Sequence, residues 1–329
     1  MGAWAAQQGP IVVPGQEPPS APEQQAPPIP EAQTPLKIQV EMVHLYATVR
    51  DKHGAIVPNL TGKDFRIFED GKEQKVAYFT KESNLPLTMA ILVDTSGSQT
   101  NLLGAEKVAA KRFLKQVLRP RDLAMVISFD TDVNLLADFT SSTGILDEAI
   151  DRTRINDPIA PSIIAQGPFP SSNKVIGTDF YDAVYLAAHD KLAGQAGRKA
   201  IIALTDAQDY GSQETIDDAI QAAQLANVVI HVVLVASPWE YIGQGGYIGG
   251  EVANKMARQT GGVVIRASSE RQMSKAFDKL AEELRSQYVL GYYPTNTARD
   301  GTFRKIKIET TTPEHYHVLT RAGYYAPMQ

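Results

Sequence analysis

Residues 89–98 read Met89-Ala90-Ile91-Leu92-Val93-Asp94-Thr95-Ser96-Gly97-Ser98. The first five are apolar without alternation, the pattern of a strand covered on both faces. The run stops on an acid and changes at once to hydroxyl residues around a glycine. A strand of this kind needs a layer on either side, and the chain that follows supplies both. Ala105, Val108, Ala109, Phe113, Leu114 and Val117 recur at helical spacing until Pro120 ends the helix. Leu123–Phe129 is a second apolar run, and Val133–Phe139 reads as its antiparallel edge partner. Short helices are expected over Ile145–Ile150 and Ala183–Leu192, and buried strands over Ala200–Thr205 and Val228–Val235 with a helix over Thr215–Ala226 between them. A helix over Val252–Gln259 is closed by Gly261-Gly262, Val263–Arg266 is the last strand, and Ser269 with Gln272 fits a capping box for a helix through Met273–Leu284. Alternation of this kind predicts an α/β fold, a doubly wound, mostly parallel sheet flanked by helices.

The pattern differs on both sides of this middle. Ile38, Val40 and Met42, then Val43, Leu45, Ala47 and Val49, alternate with a phase slip that implies a bulge near Met42–Val43. Phe65–Phe68, Glu69-Asp70-Gly71-Lys72 and Val76–Phe79 read as a hairpin turned by Asp-Gly. Past the middle, Tyr288–Tyr293, Phe303–Glu309 after Asp300-Gly301, and Tyr316–Leu319 are further strands. Neither terminal piece is long enough to cover a sheet face alone, so the expectation is one small β-sandwich built from both ends around the inserted middle. Residues 1–35, rich in Pro, Gln and Glu without hydrophobic period, read as a disordered tether. The expected organisation is therefore 1–35 tether, 36–84 first part of the sandwich, 85–287 α/β domain and 288–329 second part of the sandwich.

The 329 residues carry a net charge of −5, which gives no basic surface for nucleic acid. Absence of cysteine removes disulfides, thiolate metal sites and Cys nucleophiles. No apolar run approaches the roughly 18–20 residues of a membrane span. Ala3-Trp4-Ala5 reads either as the small-x-small end of a cleaved signal, placing the protein in the secreted or envelope fraction, or as an arbitrary Ala-rich start.

The chemistry gathers where strands end. In Asp94-Thr95-Ser96-Gly97-Ser98 a carboxylate and two hydroxyls stand at alternate positions, and Gly97 lets the loop curl so that both hydroxyls face one side. Thr178 lies in Gly177-Thr178-Asp179 just ahead of a helix, and Asp206 follows the strand through Thr205. In a doubly wound sheet the ligand crevice lies at the carboxyl ends of strands flanking the reversal of strand order. If the strands of Asp94 and Asp206 are neighbours there, their carboxylates face one crevice. Oxygen donors at this density suit Mg²⁺, Mn²⁺ or Ca²⁺.

Asp-x-Ser-x-Ser, a later Thr and an Asp closing an apolar strand together resemble the metal-ion-dependent adhesion site of von Willebrand A (VWA) domains. Asp64-Phe65, Glu69-Asp70-Gly71, Leu290-Gly291-Tyr292-Tyr293-Pro294, Asp300-Gly301 and Arg321-Ala322-Gly323-Tyr324-Tyr325 further resemble the VWA-related family first grouped from acidobacterial sequences. That likeness covers nearly everything after the tether; the long Pro-rich approach to Thr178 departs from it. The resemblance implies that Ser96, Ser98 and Thr178 bind a divalent ion directly and that Asp94 and Asp206 act largely through water. It also implies a non-enzymatic adhesion or protein-binding module whose partner protein supplies an Asp or Glu to the ion. Held mainly by neutral hydroxyls, the ion stays electrophilic, so an outside carboxylate can replace a bound water.

Other readings compete. A fold that kept the loop but lost the ion, or an assembly subunit in which the ion only stabilises the domain, leaves the same residues in place. An Asp94 nucleophile of the dehalogenase type needs a second acid where Ser96 stands, and no His lies near these loops to serve as a base. His231, inside an apolar strand, reads as a core or strand-edge residue, and His315 with His317, on one face of a strand, either as a surface pair or as a pair able to take a metal. Asp130 and Asp132 read as solvated loop acids, and Asp209 as either another such acid or a charge near the ion. Loops 156–178 and 237–250 are long enough to be functional rims or disordered inserts. Trp239, Tyr241 and Tyr247 in the second are either partner anchors or loop surface.

Overall fold

The computed structural model describes residues 42–81, 85–155, 177–235, 248–312, 314 and 316–328. The Pro/Gln stretch, the strand expected ahead of Met42, most of both long loops with Trp239, Tyr241 and Tyr247, and His315 lie outside them. In chain order the elements are β1 (Val43–Arg50), β2 (Phe65–Glu69), β3 (Lys72–Gln74), β4 (Val76–Lys81), β5 (Leu87–Asp94), α1 (Leu103–Val117), β6 (Leu123–Phe129), β7 (Val133–Thr140) and α2 (Thr143–Arg152). Then follow α3 (Phe180–Tyr185, continued by π-type turns over Leu186–Leu192), β8 (Arg198–Thr205), α4 (Ile216–Leu225), β9 (Val228–Val235), α5 (Ile248–Thr260), β10 (Val264–Ala267) and α6 (Glu270–Arg285). Strands β11 (Tyr288–Tyr292), β12 (Phe303–Thr310), β13 (His317–Leu319) and β14 (Gly323–Tyr325) close the described chain.

Strand β5 is buried at every position, as its unbroken apolar run requires. It lies inside a six-stranded sheet of order β10-β9-β8-β5-β6-β7, parallel except for β7. Met89, Ile91 and Val93 face a layer from α1, α2 and α6 that includes Phe113, Leu146 and Phe277. Ala90 and Leu92 face the opposite layer, with Val184 of α3, Ala223 of α4 and Met256 of α5. Each Leu or Ile taken fully out of water here contributes about 1.5–3 kcal/mol, which is why both faces of the sheet must be covered. The chain leaves β5 for β6 on one side and returns as β8 on the other, so the strand order reverses beside β5. The α/β fold read from the sequence is the fold of the protein.

The terminal strands form two antiparallel sheets of order β13-β1-β11-β4 and β14-β12-β2-β3. Leu45, Ala47 and Val49 pack with Ile67, Tyr288, Tyr292, Ile306 and Ile308 in the core they share. At one edge of that core Glu69 accepts hydrogen bonds from Tyr292 (2.5 Å) and Tyr324 (2.9 Å), joining strands of both sheets. One pairing differs from expectation. Asp70 (φ 48°) and Gly71 (φ 81°) make a two-residue turn, so β2 pairs at once with the polar β3, Glu69 opposite Lys72 and Ile67 opposite Gln74. The hairpin arm is thus Lys72–Gln74, and Val76–Lys81 crosses to the other sheet to pair with β11. A turn with φ > 0 at both central residues pairs its immediate neighbours whatever their polarity, which an apolar pattern alone does not show.

Candidate metal centre

Strands β5 and β8 are parallel neighbours, with Val93 opposite Leu204, so the chain leaves both at one end of the sheet. Asp94, 0% exposed, is fixed there by two donors. The Ser96 N–H donates to Oδ1 (2.9 Å) and the Thr205 hydroxyl donates to Oδ2 (2.6 Å). Thr205 in turn accepts the Ala207 N–H at 2.9 Å. Ala207 adopts φ 58°, a left-handed conformation that costs a non-glycine residue on the order of 1–2 kcal/mol. That turn reverses the chain after β8 and leaves the Gln208 N–H donating to Asp206 Oδ1 at 3.0 Å.

The hydroxyls complete a network with these acids. Ser96 Oγ and Ser98 Oγ are 3.0 Å apart, Ser98 also bonds the Asp206 carboxylate, and Gln99 Nε2 donates to Ser98 Oγ at 3.0 Å. Asp94 and Asp206 are buried, as are Ser96 and Thr178, while Ser98 is exposed, so the group reaches solvent at Ser98. A hydroxyl that gives its proton to a carboxylate keeps its lone pairs for another partner.

Thr178 is also buried but is tied in differently. Its carbonyl accepts the Tyr210 N–H at 3.0 Å, and the next N–H, of Asp179, donates to the Asp130 carbonyl at 2.6 Å. Among the described residues its hydroxyl makes no bond to the other four. The structure therefore brings Asp94, Ser96, Ser98 and Asp206 into one hydrogen-bonded group and sets Thr178 beside it through the backbone.

The neighbouring acids have local tasks. Asp130 accepts the Thr95 hydroxyl at 2.7 Å and so holds the serine loop against the end of β6. Asp209 accepts the Tyr181 N–H (3.0 Å) and the Ser212 hydroxyl (2.6 Å), pinning the 207–212 loop to the start of α3; it is neither a free solvated acid nor a bare charge at the rim. His231 is a core residue, 1% exposed, whose imidazole is pushed down to about 3 by burial and then by the Arg198 charge. Sequence reasoning passed over three residues: Thr205, Gln99 and Glu106. Glu106 had a signal, since an acid there interrupts the buried face of α1 made by Leu103, Ala110, Phe113 and Leu114.

Electrostatically the centre is short of positive charge. Burial, with the Asp206 charge second, pushes the Asp94 carboxyl up to about 7. Burial likewise raises Asp206. Glu106 is pushed up to about 8 by burial and then by the charges of Asp94 and Asp206. Among the described residues neither Asp94 nor Glu106 makes an ion pair, and Gln99 Oε1 and both Glu106 oxygens are buried without a hydrogen-bond partner. Acidic groups raising one another, beside orphaned acceptors and an oxygen-only donor set, fit a hard divalent cation. Among the described residues no three His, Cys, Asp or Glu side chains cluster closely enough to hold a metal by themselves, so the hydroxyls would have to take part.

Residues 89–208 match the family described as von Willebrand factor type A domain. No curated protein matches the chain significantly. Among solved structures, BatB from Bacteroides thetaiotaomicron is similar at 18% identity over 61% of this chain and all of its own, with a TM-score of 0.45. Proximal thread matrix protein 1 from the mussel byssus, in a crystal with a zinc-occupied MIDAS motif, is similar at 19% identity over 64% of this chain and 48% of that one, with a TM-score of 0.47. A von Willebrand factor type A protein from Catenulispora acidiphila is similar at 13% identity over 81% of this chain and 74% of that one, with a TM-score of 0.45. At such identities the likeness is one of fold.

Proposed function

We propose, from the premise that the middle of this chain is a von Willebrand factor type A domain, that the protein is a non-enzymatic binding module working through a divalent cation. Ser96, Ser98 and Thr178 would hold the ion, Mg²⁺, Mn²⁺ or Ca²⁺, with Asp94 and Asp206 acting largely through water or through the serine hydroxyls they accept from. The bound ion supplies a Lewis-acidic position for an Asp or Glu side chain of a partner protein. The chain is read as exported, with residues 85–287 as the binding domain carried by the sandwich of 36–84 and 288–329. Among the described residues no helix is long and apolar enough to cross a membrane.

One observation carries this reading: the acids Asp94 and Asp206 are buried, while the Ser98 hydroxyl joined to them is exposed. Charge compensation then lies behind the ion and the outward side stays attractive to an anion. Were the carboxylates at the rim, they would repel an acidic partner.

Calorimetric titration of the full chain with MgCl2 or MnCl2 tests the premise. Heat of binding is expected for the wild type and its loss for Ser96→Ala and Asp206→Ala; no uptake of either ion by the wild type rules the reading out. Once a partner is in hand, EDTA should release it while circular dichroism shows the fold intact. If Asp206→Ala lowers the melting temperature yet leaves the partner bound, the ion is a stabiliser of an assembly subunit instead.

A further inference from the structure

Glu106 projects from the first turn of α1, where its N–H closes on the Leu102 carbonyl at 2.9 Å. It is 0% exposed, and neither carboxylate oxygen has a hydrogen-bond partner. Leu103 before it and Ala110, Phe113 and Leu114 after it are buried on the same helix, so a leucine would complete the pattern at this position. An isolated buried carboxylate is among the costliest groups a core can hold, and a chain that keeps one has something to set against it. The nearby charges acting on it are those of Asp94 and Asp206, themselves buried. Gln99 adds to the imbalance, since its amide nitrogen is spent on Ser98 Oγ and its amide oxygen is left bare. Three acceptor atoms, both oxygens of Glu106 and the amide oxygen of Gln99, are thus buried with no donor among the described residues.

Water bound to a divalent cation is a strong donor whose protons need acceptors. We propose that Glu106, seconded by Gln99, accepts hydrogen bonds from water on the buried side of the cation and is a positioning residue that retains the ion. The proposal rests on the reading that Ser96 and Ser98 hold such an ion. Glu106 works through water, because no three acids among the described residues converge as direct ligands. Its charge lies away from the rim, so it strengthens retention without standing where a partner's carboxylate arrives.

Glu106→Gln keeps the side-chain shape and removes the charge. MnCl2 is titrated calorimetrically into the full chain, wild type and variant, and melting is followed in EDTA and in saturating Mn²⁺. The Kd for Mn²⁺ is expected to rise about 10–100-fold, the usual effect of losing a group that orients a metal's bound ligands. The melting temperature in EDTA should stay level or rise, because an unpaired buried charge has gone. Glu106→Asp, which keeps the charge on a shorter arm, should recover part of the affinity. Wild-type Mn²⁺ affinity in Glu106→Gln overturns the role of Glu106 and leaves the cation site standing. A Glu106→Gln protein that melts lower in EDTA in proportion to its lost affinity also overturns the role, since Glu106 is then structural. A wild type that takes up no Mn²⁺ overturns both this proposal and the cation site.

Discussion

The acids at the end of β5 and beneath it share an environment that opposes their ionisation, and this gives the metal-free protein a distinctive pH dependence. Asp94 is pushed from 3.8 to about 7 and Glu106 from 4.5 to about 8, in each case chiefly by burial. Both folded values lie above the unfolded ones, so the folded state binds more protons in between, and stability falls as pH rises through that window. In EDTA the melting temperature is therefore expected to drop between about pH 6.5 and pH 8, while below that range His231, held down to about 3, offsets part of the fall. Saturating Mg²⁺ should flatten the slope by stabilising the ionised forms; an EDTA profile that is level or rises would count against this account. Asp94, Ser96, Ser98 and Asp206, which hydrogen bonds gather into one group, stand out in the sequence because acids and hydroxyls are unusual directly after apolar strands; Thr178, ahead of a helix, is not bonded into that group among the described residues. Glu106 was not, because periodicity treats an acid on a buried helix face as an interruption and says nothing of what lies across from it. Thr205 was hidden by its own neighbour, since Asp206 drew the reading one residue past the hydroxyl that holds Asp94.

At the level of elements, hydrophobic period identified the strands and helices of the sheet, because each must bury a face of known repeat. Pairing was less accessible. The Asp70-Gly71 turn fixes the β2–β3 hairpin, but nothing in the alternation of Val76–Lys81 says that its partner is β11, far along the chain. Close approaches of backbone to backbone were equally hidden. A Cβ on Gly262 would stand 1.9 Å from the Ile230 carbonyl oxygen, so the turn after α5 fits β9 only without a side chain. Gly262→Ala is expected to destabilise the protein by at least about 1–3 kcal/mol, the cost of overpacking, and by more here because the obstacle is backbone. Urea denaturation checks this, and an unchanged midpoint would show that the turn relaxes freely.

For the molecule as a whole, two arginines are among the groups that join the terminal sheets to the α/β layers, beside the Ala322 N–H that donates to the Gln259 carbonyl at 3.1 Å. Arg50 at the end of β1 pairs with Glu283 of α6, whose side chain is 1% exposed. Arg321 donates to Asn227 Oδ1 and to the His44 carbonyl, both at 3.0 Å, and so joins the α4–β9 turn to β1. Arg50→Ala strands a buried carboxylate and is expected to cost about 3–5 kcal/mol of stability. The double variant Arg50→Ala/Glu283→Leu should recover much of that loss, and neither variant should change Mn²⁺ affinity, which chemical denaturation and calorimetry would show separately. That strands from both sides of the middle share a core followed from their length, as neither set could cover a sheet face alone; the residues that fasten them to the rest did not show, because Arg50–Glu283 and Arg321–Asn227 each join positions remote in sequence.

The pairing of β4 with β11 puts Lys81 opposite Tyr288. Topologically, everything from 82 to 287 is then the loop of an antiparallel hairpin, leaving and returning through strands about 4.8 Å apart. Because its two feet are already adjacent, the length of that segment does not set the spacing of the strands that carry it; Arg50 and Arg321 are among the groups that tie this particular segment to them.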